Sequence, residues 1–325
     1  MDSGDQGLAP ADLRAARARV ARGALSTPLL PSEMLTERLG WRVALKCENL
    51  QVGGAFKIRG ATNFLARASE VDPPRGLITY SSGNHAIAVG LAARRAGLPA
   101  IVVMPRTAPA VKLDRVRALG AEVHLVGPAS PERKARAEEI REERGLTMVP
   151  PFDHPWIIAG QSTCGVEILE QMPEVGAVLV PVGGGGLIAG IALACGYHRA
   201  GIRVIGVEPD GAAKMKASLR AGAPVTLPVA ASIADGLLPV RPGDLTFSVV
   251  GRYVSDVVTV SEEAIREAAE FLLKTEHLLV EWSGAVGVAA LLSGVVRVPA
   301  TPTVAILSGG NADPDALLAS PSRPA

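Results

Sequence analysis

A lysine set between small residues and directly behind an aromatic ring is the first place where side-chain types in this chain suit chemistry. In Gly53-Gly54-Ala55-Phe56-Lys57-Ile58-Arg59-Gly60-Ala61 the small neighbours let the backbone come close to a flat ligand, and Phe56 offers it a ring face. An amine desolvated in such a place holds its proton less firmly and becomes a nucleophile toward a carbonyl carbon. Taken alone, Lys57 reads as an ordinary surface lysine. Three glycine-rich segments downstream change that reading.

Ser81-Ser82-Gly83-Asn84-His85-Ala86 lies where a strand ends and a helix begins. Free amides and hydroxyls at such a junction suit a carboxylate, although a Ser/Asn helix cap is the plainer reading. Pro181-Val182-Gly183-Gly184-Gly185-Gly186-Leu187 exposes consecutive amides at a helix start, as a phosphate cradle requires. The same loop supports a rival. Gly184-x-Gly186-x-x-Ala189, with Glu208 at the end of the next strand, fits a dinucleotide fingerprint and hence a nicotinamide-binding oxidoreductase. Leu307-Ser308-Gly309-Gly310-Asn311 closes the last strand and by itself reads as a turn. A carbonyl-seeking amine, a phosphate cradle and a carboxylate cradle together describe one ligand: pyridoxal phosphate meeting an amino acid.

The elements that must position these loops alternate along the chain. Apolar strands are expected over 43–47, 77–80, 100–104, 122–125, 177–182, 204–207, 257–260 and 303–307. Helices are expected over 11–21, 32–39, 61–68, 84–96, 109–119, 131–144, 157–171, 187–199 and 262–275. This is the rhythm of an α/β fold with parallel sheets covered by helices. Proline-marked turns at Asp72-Pro73-Pro74 and Val149-Pro150-Pro151 bracket a segment with its own alternation. They divide the chain into a large cofactor-binding domain, 1–75 with 149–325, and a small mobile substrate-binding domain, 76–148. Residues 1–10 read as a disordered lead. A short helix and a Ser/Pro-rich tail follow Leu307, so no regulatory domain and no isoleucine inhibition are expected.

Composition narrows the partners. The chain has 325 residues, 48% of them hydrophobic but only 3% aromatic, so its core is built from Ala, Val, Leu and Ile. A formal charge of +1 with both signs interspersed gives no reason to expect nucleic acid or an anionic membrane. Cys47, Cys164 and Cys195 lack metal-ligand spacing and read as reduced, buried thiols of a cytoplasmic protein. The uncharged run 176–197 mimics a membrane span, but its glycines divide it into a core strand and a core helix.

On these motifs the chain resembles the fold-type II pyridoxal-phosphate enzymes (tryptophan synthase β-like), and closely their threonine/serine dehydratase and serine racemase branch. The resemblance runs from Thr27-Pro28 to Ser308-Gly309-Gly310-Asn311. It implies Lys57 as the Schiff-base lysine and catalytic base, Phe56 stacked on the pyridine ring and Asn84 bonded to the ring hydroxyl. It also implies Gly183, Gly184, Gly185, Gly186 and Leu187 around the phosphate, with Ser308 beside the ring nitrogen. Substrate binding falls to Ser81, Ser82, Gly83, Asn84 and His85, its carboxylate lying on the amides from Ser82 to His85. The implied activity is elimination of water from a 3-hydroxy amino acid by an ammonia-lyase, in a homo-oligomer. A neutral hydroxyl at the ring nitrogen leaves the ring a weak electron sink, which favours rapid loss of a β-hydroxyl over transamination.

The chain also departs from its relatives. Ser82 is the hydroxyl that racemases use on the face opposite the lysine, so racemisation stays open; a 3-hydroxyaspartate or aryl-serine substrate stays open as well. His85 reads as a capping or packing residue rather than a base. Trp282 stands where relatives carry proline, and either reshapes the pocket or packs in the core. In relatives that hold a divalent cation near the phosphate loop, the matching positions are Glu208, Ala212 and Lys214. An ammonium has replaced a carboxylate there, so no metal is expected. Lys214 either pairs with Glu208 in the ion's place or faces solvent.

Overall fold

The computed structural model describes residues 8–127 and 130–318. Most of the expected lead, and the tail from 319 onward, lie outside them. Leu8, inside the expected lead, is fully buried beside Ala16, Ile158 and Leu193. Its carbonyl accepts from the Tyr197 hydroxyl at 3.0 Å, so packed chain begins earlier than expected.

The strands β1 (Leu29–Pro31) and β2 (Val43–Lys46) lead into β3 (Leu77–Tyr80), β4 (Ala100–Pro105), β5 (Glu122–Val126) and β6 (Thr147–Met148). Then come β7 (Ala177–Pro181), β8 (Arg203–Pro209), β9 (Asp256–Val260) and β10 (Thr303–Ile306). They form two sheets, ordered β1-β2-β10-β7-β8-β9 and β5-β4-β3-β6. Every pairing is parallel except that of β1 with β2. Central strands such as β4 and β7 are apolar and buried at each position, because helices cover both faces of a parallel sheet. The strands β1 and β6, missing from the expected set, are very short edge strands; β1 carries two prolines in or beside it, which only an edge tolerates.

Helices fill the connections. The first half of the chain contributes α1 (Pro10–Val20), α2 (Glu33–Leu39), α3 (Lys57–Val71), α4 (Asn84–Ala96), α5 (Ala110–Ala118), α6 (Ser130–Arg144) and α7 (Pro155–Gln171). Next are α8 (Gly186–His198), α9 (Lys214–Ala221), α10 (Asp244–Tyr253), α11 (Glu262–Lys274), α12 (Trp282–Leu292) and α13 (Pro314–Leu318). The run 176–197 resolves into β7 and α8, with Ile188, Ile191 and Leu193 fully buried. Each such side chain contributes roughly 1.5–3 kcal/mol on burial. Among the described residues no helix is long and apolar enough to cross a membrane.

Candidate active site

All four chemistry-bearing segments open from carboxyl ends of strands onto one cavity of about 420 Å³. Open α/β sheets place ligands there, because strand ends diverge and leave helix amino ends facing the gap.

The lysine segment is anchored to the last loop. Phe56 N donates to Ser308 O at 3.1 Å, and Ala55 forms an isolated bridge with Gly309. The helix α3 therefore begins at Lys57 itself rather than at Ala61, where sequence periodicity put it. Two residues on, Arg59 is wholly buried. It makes two 2.7 Å bonds to Glu48 and bonds of 2.6 and 2.8 Å to Glu167, so this turn cannot slide. Lys57 has much less. Its Nζ donates to Pro151 O at 2.6 Å and lies 5.2 Å from the Phe56 ring centroid. The side chain keeps partial exposure to the cavity, yet the surrounding walls desolvate its amine and bring the pKa down from 10.5 to about 8.

The glycine loop after β7 is held from outside. Thr246 Oγ1 donates to Gly184 O at 2.7 Å, and Gly243 N donates to the same carbonyl at 3.2 Å. Asp153 in turn caps α10, accepting from Asp244, Leu245 and Thr246 amides at 3.0–3.1 Å. A Cβ at Gly184 would overlap the Phe152 ring, and Gly185 has a φ of 99°, so side chains are excluded on both steric and conformational grounds. No side chain caps α8, which begins at Gly186, so its amino end is a free anion site. Leu187 is buried behind it.

Ser81, Ser82, Gly83, Asn84 and His85 line the facing wall, where α4 likewise starts without a capping side chain. Gly83 N donates to Ser81 Oγ at 3.2 Å, while Ser82 is partly exposed to the cavity. The Asn84 amide is fixed at both ends: its Nδ2 donates to Glu281, and its Oδ1 accepts from Asn311 Nδ2 at 2.9 Å. The His85 ring is buried, and its Nε2 donates to Val149 O, 3.1 Å away. Burial, and then the charge of Lys57, push its pKa down to about 3, so the ring stays neutral. Its Nδ1 is buried without a hydrogen-bond partner. Ser308 is buried on the cavity wall, its hydroxyl directed 3.5 Å from Ser283 O.

Several residues around this cavity carried no distinguishing sequence signal. Lys112 enters it from α5, pairing with Asp235 at 2.6 Å and Glu281 at 2.9 Å. Glu281 adjoins Trp282, the residue that attracted notice, but Trp282 packs on the apolar core and does not line the cavity. Phe152 and Asp153 directly follow the second proline-marked turn, and nothing in their local sequence showed that they brace the glycine loop.

Glu208 ends the dinucleotide reading. It is wholly buried, with Oε1 accepting from Met215 N and Oε2 from Lys216 N, both at 2.9 Å. A carboxylate wholly buried and turned onto the start of α9 is out of reach of ribose hydroxyls. Lys214 Nζ lies 3.1 Å from Glu208 Oε1 and donates to Val182 O, Ala212 O and Leu237 O at 2.9–3.0 Å. It is fully buried, so of the two sequence expectations the solvent-facing one fails.

A profile of the family described as pyridoxal-phosphate dependent enzymes matches residues 20–309. The L-threonine ammonia-lyase of Thermotoga maritima is 43% identical over 302 residues, covering 93% of this chain and 75% of the relative. The structure of maize serine racemase superposes with a TM-score of 0.90 at 38% identity, covering 94% of each chain. The threonine deaminase of T.th. gives 0.88 at 43% identity, covering 94% of this chain and 98% of that one. The match over most of the chain, in sequence and in structure, shows that this protein belongs to the pyridoxal-phosphate-dependent enzymes of fold type II, among the threonine ammonia-lyases and serine racemases.

Proposed function

We propose that this enzyme is a 3-hydroxy-amino-acid ammonia-lyase of the threonine/serine type, converting its substrate to an α-keto acid and ammonia. One observation carries the reading. The Lys57 amine, with one carbonyl for a partner and a pKa near 8, faces a cavity whose far wall is a side-chain-free glycine cradle. These residues fit pyridoxal phosphate. Phe152 and Thr246 leave no room for a Cβ at Gly184 or Gly185, and the bare amino end of α8 suits a phosphate dianion.

In this reading Gly183 to Gly186 and Leu187 would hold the phosphate, Phe56 would cover a ring face, and Asn84 and Ser308 would bond the ring oxygen and ring nitrogen. When bound, the cofactor supplies an electron sink joined to the substrate nitrogen, which lets the Cα–H and Cβ–O bonds break. Lys57 takes the proton from Cα, a role open to an amine that is partly neutral at physiological pH. The amides of Ser82 to His85, at the amino end of α4, hold the substrate carboxylate in place. The hydroxyl departs as water, taking up one proton in exchange for the one Lys57 removed from Cα; the released enamine takes up water and yields the keto acid and ammonia. We assign 76–148 as a smaller, mobile substrate-binding domain and the remainder as the cofactor-binding domain, supported by the separate sheet that carries the 81–85 loop. We assign a homo-oligomer, as the family resemblance implies, and a cytoplasmic location, which three buried free thiols support.

A keto-acid assay across threonine, serine, 3-hydroxyaspartate and an aryl-serine tests the reading, with threonine or serine expected to turn over best. Borohydride should fix the cofactor on Lys57; a protein that takes up no cofactor would overturn the proposal. Ser82, open to the cavity, favours racemisation as a side activity. Ser82→Ala should abolish it and leave keto-acid formation within about threefold.

A further inference from the structure

Lys112 sits in the first turn of α5, on the side of the molecule that carries the four-stranded sheet, yet both its charged partners belong to the other side. Its ammonium lies 2.6 Å from Asp235 Oδ2 and 2.9 Å from Glu281 Oε2. The bridge is buried at the lysine and at Glu281, while Asp235 keeps 30% of its side chain exposed at the cavity rim.

Each end of this bridge touches a ligand-facing element. The aliphatic stem of Lys112 lies so close to Gly83 that a Cβ there would overlap its Cδ. Glu281 accepts from Asn84 Nδ2, and its own amide donates to Gly309 O at 3.0 Å in the last glycine loop. Asp235 precedes Gly236, whose amide donates to Ser283 Oγ at 2.9 Å and whose carbonyl would stand 3.1 Å from a Cβ at Gly183. One side chain therefore touches the carboxylate loop at Gly83 and, through its two carboxylates, is linked to the Asn84 amide and to the turn behind the phosphate cradle. Burial raises the Glu281 pKa and the lysine works against that; the two carboxylates hold Lys112 in its charged form. Without the ammonium, two carboxylates would face each other across a desolvated gap.

We propose that Lys112 is a positioning residue: by bridging Asp235 and Glu281 it clamps the 81–85 loop to the opposite wall and fixes the Asn84 amide. The amino-acid carboxylate then meets donors that are already in place. The inference rests on the reading that an amino acid and pyridoxal phosphate share this cavity.

The test compares Lys112→Met holoenzyme with wild type in a spectral titration by glycine, which has the shared carboxylate and amine but no leaving group. The glycine Kd should rise roughly 10-fold or more, well beyond any loss of cofactor affinity, because the whole 81–85 loop serves the amino acid while Asn84 alone serves the cofactor. Lys112→Arg should restore most of the loss. Unchanged glycine affinity overturns the proposal, as does a fall in melting temperature and cofactor affinity with the glycine Kd unmoved. Should Lys112→Met fail to fold, Asp235→Asn removes half of the bridge at the tolerant rim. It should raise the glycine Kd by about threefold, and no change again overturns the idea. The wild-type keto-acid assay judges the lyase reading separately, since glycine reports the clamp whether or not any 3-hydroxy amino acid is turned over.

Discussion

Lys57 and Lys214 have both been withdrawn from bulk water, and burial lowers the pKa of each, but their surroundings differ in kind. Lys214 finds a carboxylate oxygen at 3.1 Å and three carbonyl oxygens at 2.9–3.0 Å, more oxygens than its three protons need. Lys57 finds one carbonyl, at 2.6 Å, and then the cavity. The same contrast recurs inside a single helical turn, where Arg59 is saturated by Glu48 and Glu167. Burial alone therefore does not make a lysine reactive. The number of acceptors around it decides whether its nitrogen is tied to the protein or left open to a ligand.

The largest effect is expected at Lys57. Replacing it with Ala removes nucleophile and base together, so turnover should fall by about 10³-fold or more. A keto-acid assay measures this, and absorbance should still show cofactor retained by the glycine loop. Substantial residual elimination would mean that the under-solvated amine is not the working one.

Lys214→Met should act on stability instead. It leaves Glu208 buried with one charged partner fewer and releases Val182, the residue before the cradle; about 3 kcal/mol of stability should go. Chemical denaturation reads that loss, and a weaker cofactor affinity should accompany it. An equal loss of turnover with no loss of stability would place Lys214 in the chemistry and erase the distinction.

The acceptor count also predicts a pH profile. Desolvation favours the neutral amine, so in the cofactor-free protein the reaction of Lys57 with an aldehyde should be half-maximal near pH 8. It should fall roughly tenfold for each pH unit below that. The sign for stability follows. Between about 8 and 10.5 the unfolded chain holds a proton that the folded one has released, so stability should rise with pH across this window. A half-point near 10.5 would show that the cavity hydrates the amine as water does.

The smallest expected effect concerns the ion-like setting of Lys214. An ammonium at the centre of four oxygens leaves no room for a divalent cation. Chelator should leave activity unchanged; loss in chelator with recovery in Mg²⁺ would show a cation bound through other ligands.

Much of this molecule was legible along the chain because the signals were local. A phosphate cradle needs bare amides at a helix start, so it announces itself as consecutive glycines; a central parallel strand needs apolar residues on both faces, so it reads as an apolar run. Lys57 and the 81–85 loop were found this way, Ser308 through the family resemblance, and they do converge on one cavity. What the tertiary structure decided was pairing at long range. The α3 start at Lys57 depends on Ser308 and Gly309, near the other end of the chain. The strands β1 and β6 exist only through their partners, and α12 is so uniformly apolar that no period betrays it. Trp282 went to the core, Asp153 to the cap of α10, and Lys112 to two carboxylates across the cleft. Each is an ordinary residue in its own neighbourhood. Only folding sets which acceptor a charged side chain meets once water is gone, and here that choice separates the reactive lysine from the structural ones.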